Sequence, residues 1–204
     1  MKTSLYKKIV NCDFQKLFAS KGYAYFTKGD YNLNIIGVRR DNNNTVTNLF
    51  DDYLVVIYNC TGRCKKRIFE ITTEPGEYYM YKPMNKAGAA ILVPGQYRGT
   101  WKIGKHRNKY DALVQSKVVK VYRDGNKDKV YDMKPTTIDT GIFGINIHRS
   151  AEYSTPKYVN TYSAGCQVFA NRNEFDMFMN LCRKQRELYG NSFTYTLINE
   201  EDLI

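Results

Sequence analysis

Between residues 31 and 147 the chain consists of short β-prone runs cut by turn residues, and this punctuation limits its fold more than any other feature. The runs are 31–36, 53–58, 67–71, 90–93, 112–115 and 118–122, rich in Ile, Val, Leu, Tyr and Phe. Pro75-Gly76, Pro94-Gly95 and Asp124-Gly125-Asn126 stand where strands must end, because proline removes a ladder donor and glycine or asparagine accepts turn geometry. A βαβ alternation would need helical patterns of roughly 10–15 residues between the runs, and none is written there. The pattern predicts a mainly β, β-rich α+β fold.

Helical periodicity is confined to the two ends. Over 8–21, Val10, Phe14, Leu17 and Phe18 fall at i, i+4, i+7 and i+8, and Gly22 supplies a stop, which predicts one short N-terminal helix. Asn171-Arg172-Asn173-Glu174 reads as a capping box. It opens a helix whose apolar face is Phe175, Phe178, Met179 and Cys182, with Gly190 just past its end. Cys182 is therefore assigned to the core. Phe193, Tyr195 and Leu197 alternate as a final strand would. No repeat, low-complexity segment or linker divides the 204 residues, and a single domain is expected.

Composition excludes a disordered chain, with 43% hydrophobic and 14% aromatic residues. No stretch approaches the roughly 18 consecutive apolar residues of a membrane-spanning helix. Residues 1–13 break into polar side chains before any signal-peptide apolar core develops, so synthesis in the cytoplasm without a signal peptide is expected. Lys+Arg number 31 against 20 Asp+Glu, a formal net charge of +11. Much of the excess lies between Arg98 and Arg123, where eight basic residues face the single acid Asp111, with Tyr97, Trp101, Tyr110 and Tyr122 interleaved. Such a segment suits nucleic acid, an anionic envelope polymer or an acidic partner, or is a solvated strand face. The five cysteines have no framework spacing, and reduced thiols are the default. Two histidines without a His-Glu-x-x-His spacing, and no second cysteine cluster, leave a catalytic zinc short of ligands, so neither metal nor cofactor is expected.

Chemistry concentrates in two blocks, Gly141-Ile142-Phe143-Gly144-Ile145-Asn146-Ile147-His148-Arg149 and Tyr162-Ser163-Ala164-Gly165-Cys166-Gln167-Val168-Phe169. A nucleophilic cysteine needs a partner that takes its proton, usually histidine, and main-chain N–H groups aimed at the developing oxyanion. The small residues before Cys166 let a substrate carbonyl approach the backbone. Strand alternation puts Phe143, Ile145 and Ile147 on one face and Asn146 and His148 on the other, toward a cleft. The alternative for Cys166 is an ordinary buried thiol.

His148, fourteen further residues and then Ser163-Ala164-Gly165-Cys166 resemble the signature of the L,D-transpeptidase catalytic-domain family of cysteine peptidoglycan enzymes. Thr73-Glu74-Pro75-Gly76-Glu77-Tyr78 is similar to an element that precedes the site in that family. The resemblance covers roughly residues 70–170 and looks most like the compact variants of bacteriophages and prophages. It implies a β-sandwich or barrel with one helix after the cysteine, with 1–65 as an N-terminal extension of helix plus strands and 66–204 as the catalytic core. It also implies Cys166 as nucleophile, His148 as base, Ser163 orienting His148, and the main chain at Gly165 and Cys166 holding the oxyanion. Ala164 stands where the family usually has a second histidine. Arg149 and Gln167 are the candidate replacements for departed substrate-orienting groups, Arg149 by offering its fork to a substrate carboxylate. Asn146, Ala164 and His106 complete the expected substrate-binding set, His106 being held neutral by its cationic neighbours.

The activity implied is thioester chemistry on peptidoglycan stem peptides, with an anionic envelope as partner. Water as acceptor makes the protein a lysin, free after release or borne on a virion, and an amine makes it a cross-linking transpeptidase. A wall-binding module without turnover is the second class, and nucleic-acid binding through residues 98–123 ranks below both.

Overall fold

The computed structural model describes residues 3–203. Eight strands close a barrel: β1 (Asn34–Arg39), β2 (Asp52–Cys60), β3 (Arg63–Thr72), β5 (Gly95–His106), β6 (Tyr110–Gln115), β9 (Ile147–Arg149), β10 (Gln167–Phe169) and β11 (Phe193–Asn199). Their order around the barrel is β1-β11-β5-β6-β9-β10-β3-β2. Two pairs are parallel, β1 with β11 and β9 with β10, and the other pairs are antiparallel. A second antiparallel sheet, β4 (Ala89–Leu92), β7 (Val119–Asp124) and β8 (Ile138–Gly141), lies beside it. The fold is thus β-rich with short helices, as the run-and-turn pattern requires.

Strand alternation builds the core. Ile35, Leu54, Val56, Ile71, Trp101 and Ile147 point into one cluster, which the buried face of α4 (Arg172–Tyr189) joins with Phe175, Phe178, Met179 and Cys182. The Asn171 side chain accepts the N–H groups of Asn173 and Glu174 and so caps the helix, but the expected capping box is only half formed, because the Glu174 carboxylate accepts the Glu70 N–H instead. The opposite faces of β1 and β2 carry Ile36, Val38, Tyr53, Val55 and Ile57, and the N-terminal helices cover them.

Those helices correct the expectation of one helix over 8–21. The chain forms α1 (Ser4–Asn11) and α2 (Phe14–Ser20), because the Asp13 carboxylate accepts the Lys16 N–H and starts a new helix. Leu5 and Ile9 are the buried face of α1, whereas Val10 is exposed. A second correction concerns the extension. The 65/66 boundary falls inside β3, and β1 and β2 are barrel staves paired to the last and third strands of the same barrel, so the first 65 residues are integral to it. β5, the longest strand, and the short helix α3 (Glu77–Tyr81) have no counterpart among the sequence runs. Among the described residues, no helix is long and apolar enough to cross a membrane.

Candidate active site

β9 and β10 set the site because they run parallel, with His148 opposite Val168 and Ile147 opposite Gln167. The Gln167 N–H continues this ladder onto the Asn146 carbonyl at 2.9 Å, which places Cys166 beside Asn146, two residues along the strand from His148. Ile145 and Ile147 are buried in the core, while Asn146, His148 and Cys166 line one cavity of about 450 Å³. Ala164, His106 and Arg107 share its wall. The alternation read from the sequence therefore brings the expected base and nucleophile to one floor.

His148 is buried and fixed. Its Nδ1 lies 2.8 Å from the Arg149 carbonyl oxygen, which can only accept, so Nδ1 carries the proton and Nε2 keeps its lone pair. The Tyr110 hydroxyl donates to the same carbonyl at 3.1 Å. The His106 ring stacks on His148 with centroids 4.0 Å apart and planes inclined by 19°. Asn146 holds His106 in turn: its Oδ1 accepts the Gln115 N–H at 2.9 Å, which turns its Nδ2 toward His106 Nδ1 at 3.1 Å. Burial lowers both imidazoles, His148 to about 3 with help from His106 and His106 to about 4 with help from Arg107. His106 is thus neutral as expected, but burial rather than its cationic neighbours is the main cause.

Cys166 is half-buried, and burial pushes its thiol up to about 11. Its Sγ donates to the Gly144 carbonyl at 3.3 Å and accepts the Asn146 N–H at 3.4 Å. Among the described residues, the thiol makes no hydrogen bond to His148. The Cys166 turn requires its glycine: Gly165 has φ +122°, and a Cβ there would lie 2.2 Å from the Ala90 carbonyl oxygen of β4.

Three expected roles change. Ser163 does not orient His148, because its hydroxyl donates to the Cys166 carbonyl at 2.8 Å and accepts the Gly165 N–H at 3.1 Å, bracing the turn instead. That bond occupies the Gly165 N–H and leaves the Cys166 N–H as the turn's donor for an oxyanion. Gln167 is fully buried beneath the site, accepting the Tyr195 hydroxyl at 2.7 Å and reaching the Thr73 and Gly165 carbonyls, so it cannot touch substrate. Arg149 lies over the Tyr110 ring at 4.2 Å and pairs with Glu152 at 3.4 Å. It lines a second cavity of about 340 Å³ rather than the one holding Cys166. Its carbonyl, not its fork, serves His148.

The 73–78 element reaches the site directly. The Gly76 N–H donates to the Ser163 carbonyl at 2.9 Å, and the Thr73 N–H donates to the buried Asp52 carboxylate at 2.7 Å. Tyr110, Tyr162 and Arg107 are site residues that the sequence did not single out as such, since nothing local shows that β5, β6 and β9 converge. Among the described residues, no group of three His, Cys, Asp or Glu side chains converges as metal ligands would. No protein-family model, curated protein or solved structure matches the chain.

Proposed function

We propose that the protein is a cysteine acyl-transfer enzyme acting on peptidoglycan stem or cross-link peptides, with water as the favoured acceptor. The observation that carries this reading is the shared floor of the larger cavity. There a cysteine on a tight glycine turn lies along parallel strands from a histidine whose Nδ1–H is spent on a carbonyl and whose Nε2 makes no hydrogen bond among the described residues. Cys166 Sγ would attack the scissile carbonyl carbon as its proton passes to His148 Nε2. His148 would return that proton to the departing amine, leaving a thioester on Cys166. Water would then add with its proton taken by His148, releasing the acid and the thiol. The exposed basic side chains Arg98, Lys102, Lys117 and Lys120 support attraction to an anionic envelope, an effect that salt screens.

Mass spectrometry of purified muropeptides incubated with wild type and with Cys166→Ala tests this. Shortened stems or opened cross-links from the wild type alone are expected. Cross-linked dimers would establish the transpeptidase alternative, and unchanged muropeptides would overturn enzymatic action. The wall-binding alternative has one observation in its favour, the resting thiol's bond to the Gly144 carbonyl rather than to His148. It requires Cys166→Ala to pellet with cell walls as the wild type does while neither releases product.

A further inference from the structure

We infer that Arg107 is the docking point for a free carboxylate carried by the substrate beside its scissile bond, an inference that rests on the acyl-transfer reading above. Arg107 sits at the tip of the β5–β6 hairpin and lines both cavities, on the partition made by His106 and His148. Its backbone has φ +49° and the following Asn108 has φ +57°. Asparagine accepts that left-handed conformation readily, whereas arginine adopts it only at a cost. An arginine held at such a turn, at the mouth of a cleft, points to a use for its side chain.

The neighbouring guanidinium groups are engaged and Arg107 is not. Arg123, also on the larger cavity, is clamped by Asp139 at 3.0 Å and by the Phe143 ring at 4.4 Å. Arg149 is held by Glu152 and Tyr110. Among the described residues, Arg107 has no ion pair, and no acidic side chain lines the larger cavity. On the larger cavity Asp139 meets the charge of Arg123, and on the second cavity Glu152 meets that of Arg149, which leaves Arg107 as the guanidinium of these walls without an ion pair among the described residues and suits an anionic ligand group. A guanidinium offers a planar fork that matches a carboxylate with two parallel hydrogen bonds. Its charge also acts on the chemistry: it favours the Cys166 thiolate and disfavours protonation of His106 and His148. The carboxylate role read from the sequence for Arg149 thus belongs to Arg107.

Alkylation of Cys166 tests the anion site without needing peptidoglycan turnover. Iodoacetate and iodoacetamide react alike, the cysteine sulfur displacing iodide and its proton going to solvent, but only iodoacetate carries a carboxylate. Rates mapped to Cys166 by peptide mass spectrometry are compared in wild type, Arg107→Gln and the same-charge control Lys16→Gln, an exposed position on α2. Arg107→Gln is expected to lower the iodoacetate-to-iodoacetamide ratio about fivefold, the range of a partly screened charge pair. Lys16→Gln should leave the ratio unchanged. An equal ratio in wild type and Arg107→Gln, or failure of both reagents to label Cys166, would overturn the inference. In parallel, kcat/KM is measured on stem peptides ending in a carboxylate or a carboxamide, and Arg107→Gln should erase the preference for the carboxylate. A ratio change with no turnover of any stem peptide by wild type would keep the anion site and remove the proposed function. Turnover without a ratio change would do the reverse.

Discussion

At Cys166, His148 and His106 the same cause, removal from water, acts on groups of opposite charge type. It raises the thiol to about 11 and lowers the imidazoles to about 3 and about 4, so the neutral form of each is favoured at pH 7. A resting thiolate–imidazolium pair is therefore disfavoured, and in the proposed acyl transfer the thiol proton would pass to His148 Nε2 as the sulfur attacks. Substrate entry would replace the Gly144 carbonyl as the group facing the sulfur. This gives a clear expectation for the free protein. Alkylation of Cys166 by iodoacetamide should keep rising about tenfold per pH unit from pH 7 to pH 10, because only the thiolate reacts. A rate that levels off below pH 8 would show an ion pair already formed and would contradict the geometry.

Among the elements, α4 was the most legible in the sequence because its signals agree. Its 3.6-residue apolar period, its Asn171 cap and its terminal Gly190 all point to one span, and its four inward residues are buried against the barrel. The N-terminal periodicity hides the break between α1 and α2, because Phe14, Leu17 and Phe18 continue the spacing of Val10 across the point that Asp13 caps. β5 is poorly marked in the sequence because Gly99 and Gly104 interrupt its apolar residues and its exposed positions are Arg98, Lys102 and Lys105, although Trp101 and Ile103 face the core. The packing of α4 has a measurable consequence. Phe178 is fully buried and its ring lies 5.1 Å from that of Phe169 on β10, the strand that follows Cys166. Phe178→Ala should cost about 3–5 kcal/mol in urea unfolding, the loss of an aromatic side chain from a packed core plus the cavity left behind. A cost below about 1 kcal/mol would mean that α4 does not anchor β10.

At the scale of the whole molecule, the run-and-turn pattern announced the class of fold but not its closure. Strand runs and turns are local signals, whereas β1 pairing in parallel with β11, and His106 on β5 stacking against His148 on β9, depend on contacts between distant segments. Closure also buries ionisable groups of opposite pH behaviour. The folded-state pKa of Asp52 is raised to about 6 by burial and by Asp51, and Glu74 is raised by burial and by Asp52 while Arg39 at 3.4 Å opposes it. For Asp52 the stabilising protonation is present below about pH 4 and is lost as pH climbs through about 6, and Glu74 acts in the same direction. The histidines run the other way. With folded values below the 6.5 of the free imidazole, the unfolded chain takes up protons first, so their effect destabilises the fold as pH falls from 6.5 toward 4. His106→Phe keeps a flat ring against His148 and removes one titration. Lost contact to the Asn146 amide shifts its stability by the same amount at every pH, so the informative quantity is the difference from wild type at two pH values. Between pH 7.5 and pH 4.5 that difference should move in favour of His106→Phe by about 2 kcal/mol in urea unfolding. An equal difference at both pH values would mean that His106 titrates in the fold as it does in water, and the buried stack would be wrong.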